Sequence, residues 1–421
     1  ARETVEGTVR SLISRLADEG FPGATVTPRL AARSDTVDVT LEVRTGERAR
    51  IDSVTVRGLT VTKEWVIRRE TDRFIGKPVS PETLMNARSA MSGLKFLRLV
   101  SDPEIMYDDT GRTVLVMTVE ETTRNSFEGV MGYQPGTGSD SGELVGKVDL
   151  GIQNLFGSGR SSRVRWESLG GDAQDMEVKW EEPWVFGFPF SLNASFLQER
   201  RTDLGYTRTV LGLGVSRAIG RLTGSAGFRN ETVTGDSLAG ADALGFEGNI
   251  EWSAIDNPTN PRSGARYAAS QSYSKKRYRY AGGNASISRS TAGMEQYIPL
   301  FDTHTVAMLV NYRRVDSGSR AVDVSDLWWI GGASTLRGYA ERAFPAERAL
   351  LATTEYRVIT GGTSRIFTFI DYGRLWNTER IDTRHVMRGK DHFGYGFGFR
   401  IESAAGTLGF DRILAHWQNP R

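Results

Sequence analysis

The residues that could do chemistry in this chain are one arginine on a glycine-rich segment and two carboxylates downstream of it. The segment carries a four-residue motif, formed by Leu336, Arg337, Gly338 and Tyr339. Glu355 lies in the next strand-like stretch, and Asp371 shares one face of the following stretch with Phe369, because strand side chains alternate. A guanidinium in a poorly hydrated place needs carboxylate partners. Taken alone, the motif also fits an exposed loop arginine, so the surrounding elements must decide.

No pattern typical of an enzyme accompanies this motif. The histidines at 304, 385, 392 and 416 lack the spacing of metal ligands, and the chain has neither a Gly-x-Ser-x-Gly elbow nor a phosphate-binding loop. Glycines alternate with aromatic residues at 394–398 without a phosphate-binding lysine, which favours a strand whose glycines face a crowded interior. We expect the adjacent Glu120 and Glu121 to be solvated at a domain junction. The sequence thus predicts no enzymatic activity, no cofactor and no metal site.

Composition excludes several protein classes. The net charge is only +2 and no basic block stands out, which argues against nucleic acid as a partner. No apolar run reaches the roughly eighteen residues that a membrane helix needs, whereas a membrane barrel needs only alternate apolar residues. Cysteine is absent, which excludes disulfides and thiol chemistry and fits an oxidising envelope compartment. The 421 residues allow about two or three domains.

The first 121 residues follow a small α+β pattern. Helical spacing from Val5 to Leu16 precedes two strand-like runs, 24–32 and 36–44, and alternation in the second predicts a half-buried strand. A fuller unit then follows in the order strand, helix, helix, strand, strand, over 51–121. Ser80 is expected to cap its second helix, with Pro81 at the first helical position.

From Asn125 the chain changes to amphipathic strands. Val306, Met308, Val310 and Tyr312 alternate with Thr305, Ala307, Asn311 and Arg313, with Leu309 the exception. A similar alternation recurs in about fifteen segments, as in large outer-membrane barrels. One face is apolar and often aromatic, while the other carries charge or glycine. A soluble propeller or sandwich array is the alternative. A propeller would need a blade period, and no internal repeat is found.

Four segments in order resemble the BamA/TamA superfamily of outer-membrane assembly and translocation proteins. They are an early hairpin turn at 154–160, a Glu-Pro turn at 182–184, a turn with two prolines at 256–264 and the loop motif at 336–339. The residues at 51–121 likewise resemble a POTRA domain. The resemblance implies an antiparallel transmembrane β-barrel of the sixteen-stranded type, preceded by POTRA domains in the periplasm.

The resemblance also sets domain boundaries. It implies a partial POTRA domain at 1–48, a POTRA domain at 49–122, and a barrel at 123–421 whose loop around 326–348 enters the lumen. Residues 1–44 match only the last helix and last two strands of a POTRA domain, so we expect that its beginning lies upstream. We also expect the closing strand of the barrel to be missing from this chain. Either that strand is not included in this sequence, or another chain supplies it.

The same resemblance assigns roles to residues. In the family the loop arginine folds into the lumen, which implies that Arg337 meets Glu355, Phe369 and Asp371. A weak lateral seam is expected beside the first barrel strand, at Phe127, Gly129, Gly132 and Tyr133. Glycine weakens a strand as a pairing partner, although these glycines equally fit a simple relief of crowding.

The implied function is that of an outer-membrane protein insertase. POTRA units would receive unfolded clients by β-augmentation, and the seam would pass them into the lipid bilayer. The implied partners are unfolded outer-membrane proteins, the bilayer and accessory envelope proteins, at a bacterial-type outer membrane. A two-partner secretion pore and a passive porin are the alternative functions.

Overall fold

The protein consists of two compact units. The computed structural model describes residues 2–32, 37–94, 96–122, 125–134, 143–168, 173–235, 240–279, 282–318, 321–381, 384–403 and 406–418. One unit comprises 1–125 and 152–161, and the other comprises 126–151 and 162–421. Each unit is described separately below. None of the helices in these ranges is long and apolar enough to cross a membrane.

The first unit begins with a helix and a two-stranded hairpin. The elements are α1 (Arg2–Asp18), β1 (Thr25–Ala32) and β2 (Val37–Arg44), and the two strands pair antiparallel. The prediction that the second strand is half-buried is wrong, because Val37, Val39 and Val43 remain 56%, 40% and 42% exposed. No element among the described residues covers their face, so alternation correctly indicated a strand and failed to indicate burial.

The rest of this unit is an α+β fold in the expected order. Its elements are β3 (Ser53–Arg57), α2 (Glu64–Thr71), α3 (Pro81–Ser92), β4 (Leu97–Leu99), β5 (Glu104–Tyr107) and β6 (Thr113–Glu121). The short β5 escaped the sequence analysis. β6 is central: β3 pairs with it in parallel, and β4 and β5 pair with it antiparallel. As expected, Ser80 caps α3, accepting a bond of 3.1 Å from the Thr83 amide.

A core of apolar residues holds the helices on this sheet. Its buried members come from both helices, the central strand and the segment before β3, and include Ile51, Val66, Met91, Leu115 and Met117. Glycine is required where β3 ends, since Gly58 has φ +96° and a Cβ atom there would lie 1.9 Å from the Val119 carbonyl oxygen. The chain can therefore turn tightly against β6 only at a residue without a side chain.

Glu121 organises the segment that follows this turn. Its carboxylate accepts hydrogen bonds from the amides of Val61 (2.9 Å) and Thr62 (2.6 Å) and from the Thr60 hydroxyl. The expectation that Glu121 is merely solvated is therefore wrong, because three donors converge on it. Burial acts to raise the pKa of Glu121, but the hydrogen bonds from Thr60, Thr62 and Val61 outweigh it and lower the pKa to about 2.

The turn at 154–159 also belongs to the first unit by its contacts. The Asn154 amide donates to the Thr62 hydroxyl at 2.8 Å, and the Gly157 carbonyl accepts from the Lys63 amide at 2.9 Å. Gly157 has φ +69°, and a Cβ atom there would lie 2.0 Å from the Val61 carbonyl oxygen. This glycine in the early hairpin motif thus permits a close backbone approach that no other residue would allow.

The second unit is one antiparallel sheet of fifteen strands in the described residues. The sheet strands are β7 (Ser126–Gln134), β8 (Glu143–Leu155), β9 (Arg160–Ser168), β10 (Ala173–Glu182), β11 (Ser191–Arg201), β12 (Tyr206–Ile219), β13 (Leu222–Gly235), β14 (Ala241–Ser253), β15 (Gly264–Tyr278), β16 (Asn284–Pro299) and β17 (His304–Asp316), followed after a hairpin by β20 (Arg348–Gly361), β21 (Ser364–Ile381), β22 (Arg384–Ser403) and β23 (Gly406–Gln418). The hairpin comprises β18 (Trp328–Ile330) and β19 (Phe344–Ala346). Each strand pairs with its neighbours in sequence, apart from the hairpin.

The turn between β14 and β15 is built by side-chain acceptors, as two prolines and a glycine there suggested. The Asp256 carboxylate accepts from the amides of Asn257, Arg262 and Ser263 at 2.9, 3.0 and 3.2 Å. Gly264 takes φ +104° at the start of β15. Such local bonds satisfy backbone donors that a tight connection would otherwise leave unpaired.

The two faces of the sheet differ in chemistry. We call the face that carries Phe369 and Asp371 the inner face, and the opposite one the outer face. On β21, Ile366 and Ile370 are 57% and 60% exposed on the outer face, whereas Phe369 and Asp371 are each 2% exposed. This alternation agrees with the sequence analysis, which predicts that one face of these strands is apolar. Exposed apolar residues on one face indicate an apolar surrounding for that face.

We predict that the outer face of β17 is shielded in a membrane. Met308 is exposed to the outside at 40%, while its neighbours Thr305 and Ala307 are fully buried on the inner face. Because the protein has no cysteine, single cysteines at 308 and 311 can be compared directly with a membrane-impermeant thiol reagent. The cysteine at Asn311 should react and the one at Met308 should not. Reaction at 308 alone would contradict the membrane orientation.

We further predict an acid-sensitive contribution of Glu121 to the unit at 49–122. A carboxylate whose folded pKa lies below its ordinary value of 4.5 stabilises the fold above that value. The contribution is therefore full at neutral pH and is lost as pH falls from 4.5 towards 2. Glu121→Gln should lower the free energy of unfolding of this fragment by about 1 kcal/mol at pH 7, allowing for solvent screening.

Urea unfolding followed by circular dichroism measures this difference. Glu120→Gln is the matched control, because Glu120 is exposed and pairs with Arg98 on the surface. The gap between Glu121→Gln and the parent should close near pH 2. An equal gap at pH 7 and pH 2 would show that the charge of Glu121 is not the cause.

Candidate functional site: the loop between β17 and β20

The motif at 336–339 lies on a loop that carries its own hairpin. β18 pairs with β19, and Ile330, Leu336 and Ala346 are fully buried around it. Gly331 and Gly332 both have positive φ, +130° and +87°, where a side chain would be strained. Leu336 packs in one apolar cluster with Leu351 and Leu375 of the inner face. The loop is therefore a packed structure rather than an extended strap.

Arg337 extends from this hairpin to two carboxylates of the inner face. Its guanidinium binds Asp371 with two parallel bonds, Nε to Oδ2 at 2.8 Å and Nη2 to Oδ1 at 2.7 Å. The third nitrogen, Nη1, donates to Glu355 Oε1 at 2.7 Å, and the Arg337 amide donates to Asp371 Oδ2 at 3.0 Å. All three side chains are less than a tenth exposed. We call these residues, with Arg357, the arginine clamp.

The arginine clamp is electrically balanced. Arg357 donates to the second oxygen of Glu355 at 2.8 Å, so two guanidinium groups face two carboxylates. Thr353 adds a bond of 2.9 Å to Asp371 Oδ1. Buried charges are tolerated when each is paired and hydrogen-bonded, as here. Thr353 and Arg357 escaped the sequence analysis, although their spacing of two residues from Glu355 places them on its face and could have indicated them.

Phe369 completes the site as a stacking surface. The guanidinium carbon of Arg337 lies 3.6 Å from the centre of the Phe369 ring, within the range of a cation–π contact. Phe369 is 2% exposed, so the contact is made away from water. The structure therefore brings together Arg337, Glu355, Phe369 and Asp371, four residues that the sequence had grouped.

Glycines on β22 allow the loop to approach the sheet. A Cβ atom at Gly394 would lie 2.1 Å from the carbonyl oxygen of Arg337, and one at Gly396 would lie 2.9 Å from the ring of Phe369. The glycines of this strand thus face a crowded interior, as their alternation suggested. The atoms nearest to a Cβ atom at Gly373 would instead be side-chain atoms of Leu336, at 3.2 Å, and of Leu351, at 3.4 Å.

Tyr339 and Gly338 hold the far side of the turn. The Tyr339 hydroxyl donates to the Phe393 carbonyl at 3.1 Å, and its ring meets Phe344 and His392 edge-on at 5.1 and 5.5 Å. Gly338 has φ +102°, which favours glycine at that position. His392 is 2% exposed in this aromatic group. The sequence did not indicate that His392 belongs to this site, because its aromatic neighbours Tyr339 and Phe344 come from a separate loop.

The acidic groups of the clamp leave no place for a metal ion. Both oxygens of Glu355 accept guanidinium bonds, and both oxygens of Asp371 accept from Arg337. In the described part of the chain no three histidine or acidic side chains are grouped so as to hold a metal. The arrangement can therefore fix a loop in place, with its charges fully used for that purpose.

The predicted seam residues lie on β7, away from the clamp in sequence. β7 pairs with β8 over nine residues, from Ser126 with Gly151 to Gln134 with Glu143. Phe127 is 59% exposed, and a Cβ atom at Gly129 would lie 3.1 Å from the Phe127 ring. Gly132 and Tyr133 lie in the strand backbone, and their side chains are outside the described residues.

We predict that Arg337 and Asp371 stabilise the second unit as a coupled pair. Arg337→Ala leaves Asp371 without its cation and Glu355 with Arg357 alone, and Asp371→Ala leaves the Arg337 guanidinium with one carboxylate. Each substitution should cost about 3–5 kcal/mol, as when a buried pair loses one side. The double mutant should cost clearly less than the sum of the two.

Resistance of the folded protein to heating in detergent, read by electrophoretic mobility, measures these losses. Arg314→Ala is the control, because Arg314 pairs with Asp316 where both side chains are more than 40% exposed. Strict additivity of the two clamp substitutions would mean that Arg337 and Asp371 do not interact.

Comparison with known proteins supports the pattern seen in the sheet and loop. A structure of BamA from Haemophilus ducreyi lacking POTRA domains 1–3 superposes with a TM-score of 0.58 at 16% identity, covering 98% of this chain and 90% of that one. CdiB from Acinetobacter baumannii gives 0.58 at 14% identity, over 99% and 82%. CdiB from Escherichia coli gives 0.56 at 13% identity, over 99% and 82%. The fold is thus that of a BamA-type barrel.

Sequence comparison reaches the same family. The chain is 23% identical over 167 residues to the outer membrane protein assembly factor BamA of Neisseria meningitidis serogroup B, a match of 39% of this chain. The aligned part spans a fifth of the length of that curated relative. The profile of the Omp85 superfamily domain matches residues 154–412, which contain the clamp and most of the sheet. The expected resemblance is confirmed, and the chain belongs to the Omp85 superfamily.

Proposed function

We propose that this protein is an outer-membrane protein insertase without enzymatic activity. In this proposal the fifteen strands belong to a barrel of the sixteen-stranded type, and the unit at 49–122 is a POTRA domain in the periplasm. Unfolded outer-membrane proteins are its clients, and accessory envelope proteins assist it. The Neisseria relative is an outer membrane protein assembly factor, which supports the assignment.

The edge of β7 carries this proposal. Within the described residues, β7 pairs with β8 alone, and β23, the strand at the other end of the sheet order, lies beside it without pairing. In this proposal an incoming strand enters between β23 and β7 and pairs with the backbone donors and acceptors on that edge of β7. Gly129 and Gly132 weaken β7 as a packing partner, which favours exchange over permanent pairing. An exposed strand edge is a template for β-augmentation.

The energy for insertion needs no nucleotide. A client strand that pairs with β7 satisfies its backbone hydrogen bonds before it enters the hydrocarbon, where an unpaired group costs several kcal/mol. Each further strand buries apolar side chains in lipid, and this burial drives the process forward. The exposed face of Phe127 lies beside the proposed entry point. The protein thus supplies a template, and folding of the client supplies the free energy.

The loop argues against a passive porin. A porin needs an open interior, whereas here the hairpin β18–β19 packs on the inner face with Leu336 and Arg337 buried. A cavity of about 590 Å³ beside the motif is lined by Arg337, Arg365 and Arg400 among others. The interior is therefore occupied by ordered structure with a limited space next to it.

A two-partner secretion pore is the second candidate function. The fold match to CdiB is as good as the match to BamA. In such a pore the substrate would pass along the inner face, through the cavity beside the motif. The two functions therefore differ in the path of the substrate, past the edge of β7 or past the inner face.

Site-specific photo-crosslinking in vesicles tests these paths. A crosslinking residue replaces Phe127 on β7, Thr363 beside the cavity, or Leu213, which is 55% exposed on the outer face of β12. With an unfolded small β-barrel protein as client, we expect crosslinks from 127 and none from 213. Crosslinks from position 363 without any from position 127 would reject the insertase and support a translocation pore. A steady large conductance without crosslinks would indicate a porin.

A matched glycine pair tests the contribution of the loop to insertion. Gly394→Ala should displace the loop, because its Cβ atom would meet the carbonyl oxygen of Arg337 at 2.1 Å. Gly373→Ala should be better tolerated, because the atoms nearest to its Cβ would be side-chain atoms of Leu336 and Leu351, at 3.2 and 3.4 Å, rather than a backbone oxygen. We expect insertion of the client to fall at least about tenfold in the first variant, the effect of a cost above 1.4 kcal/mol. Equal client insertion by both variants would show that the position of the loop does not affect insertion.

A further inference from the structure

A second cluster of buried charges binds the same loop from another part of the sheet, the strands β12 to β16, which we call the wall. Lys276 on β15 is 1% exposed and donates to Asp326 of the loop at 2.6 Å and to Ser325 at 3.0 Å. Arg289 on β16 donates to the other oxygen of Asp326 at 2.6 Å. The Asp326 side chain is 1% exposed. A loop carboxylate is thus enclosed by two wall cations.

The wall around this carboxylate is itself charged. Glu231 on β13, 2% exposed, accepts from Arg208 at 3.0 and 3.1 Å and from Arg229 at 3.0 Å. Arg289 also lies 3.7 Å from Glu231. For Lys276, both carboxylates within ion-pair distance in the described residues belong to the loop, Asp326 and, at 3.6 Å, Asp323. The wall therefore contains a buried lysine, Lys276, whose positive charge is neutralised by carboxylates of the loop.

We propose that Asp326 is a second latch of the loop, which positions Arg337 for the arginine clamp. The two latches have opposite sign: at Arg337 the loop supplies the cation, and at Asp326 it supplies the anion. This inference deepens the proposed function, and it rests on that function only for the effect on client insertion. The position of the loop can be measured without a client.

The two latches are joined by a short, packed connection. Asp326 lies two residues before β18, and Arg337 lies between β18 and β19. Trp328, which starts β18, packs with Val322 and Val324 against an apolar wall cluster that includes Tyr206, Val233 and Tyr278. The guanidinium of Arg313 lies 5.5 Å from the Trp328 ring. Fixing Asp326 therefore fixes the start of the hairpin on which Arg337 is carried.

A third charged contact marks the return of the hairpin. Arg342 pairs with Asp175 on β10, and Asp175 is also bound by Arg201 at 2.9 Å. Arg342 has φ +56°, a left-handed conformation that is unusual for a residue with a side chain. The loop thus contacts strands spread along the sheet order, from β21 to β10.

Thiol labelling of the full protein in vesicles tests the second latch. The chain has no cysteine, so Ala346→Cys, at a fully buried position of β19, reports hairpin displacement alone. Ala307→Cys, fully buried on β17, reports general unfolding. Asp326→Asn should speed labelling of the cysteine at 346 by roughly tenfold or more, as expected when a buried pair loses one side. The cysteine at 307 should stay protected.

Matched variants show whether the faster labelling is specific to the loss of the Asp326 charge. Asp316→Asn, at a position 42% exposed in its side chain, should leave labelling at the parental rate. Asp326→Glu keeps the charge and should stay closer to the parent than Asp326→Asn. Adding Lys276→Met to Asp326→Asn removes the stranded lysine and should not accelerate labelling further.

Two outcomes would overturn the proposal. Unchanged labelling at 346 in Asp326→Asn would show that the loop is held without Asp326. Exposure of both cysteines would show that Asp326 supports the whole fold rather than the loop. Client insertion is measured in the same vesicles: faster labelling with unchanged insertion would keep the latch and remove its role in the proposed function, whereas absent insertion in the parent would reject the proposed function alone.

Discussion

The bidentate pair between Arg337 and Asp371 is the interaction on which the loop and the inner face depend. A guanidinium buried to this extent is stable only if its charge and its donors are all satisfied, and two carboxylates and an aromatic ring do so here. The requirement reaches further along the chain. β22 must carry glycine at 394 to admit the backbone of the motif, and Arg357 must balance the second carboxylate.

The sequence predicted those parts of the site that a local rule determines. Strand side chains alternate strictly, so Phe369 and Asp371 had to share a face, and Glu355 had to lie on the adjacent strand. Alternation could not reveal the partners of Asp326, because Lys276 and Arg289 are 50 and 37 residues away and come from other strands, β15 and β16. Partners brought together by a long loop leave no periodic signal in a single sequence.

The fold shows the same division between local and long-range information. The order of helices and strands in the first unit followed from caps, turns and periodicity, while the burial of β2 did not, because burial depends on which element covers a face. Glu121 was expected to be solvated, since the pattern around it showed only two adjacent acids. Its three donors come from about sixty residues earlier in the chain.

A firmly held loop and a weak edge strand have complementary roles in one sheet. A sheet that must exchange hydrogen bonds at β7 would lose its order if the rest of the structure were equally loose. The loop opposes this loss of order by contacting several strands at once. It binds β20 and β21 through Arg337, β15 and β16 through Asp326, and β10 through Arg342. None of these contacts involves β7. Stability is therefore concentrated on strands other than β7, which in the proposed function would leave this first strand able to exchange its partner.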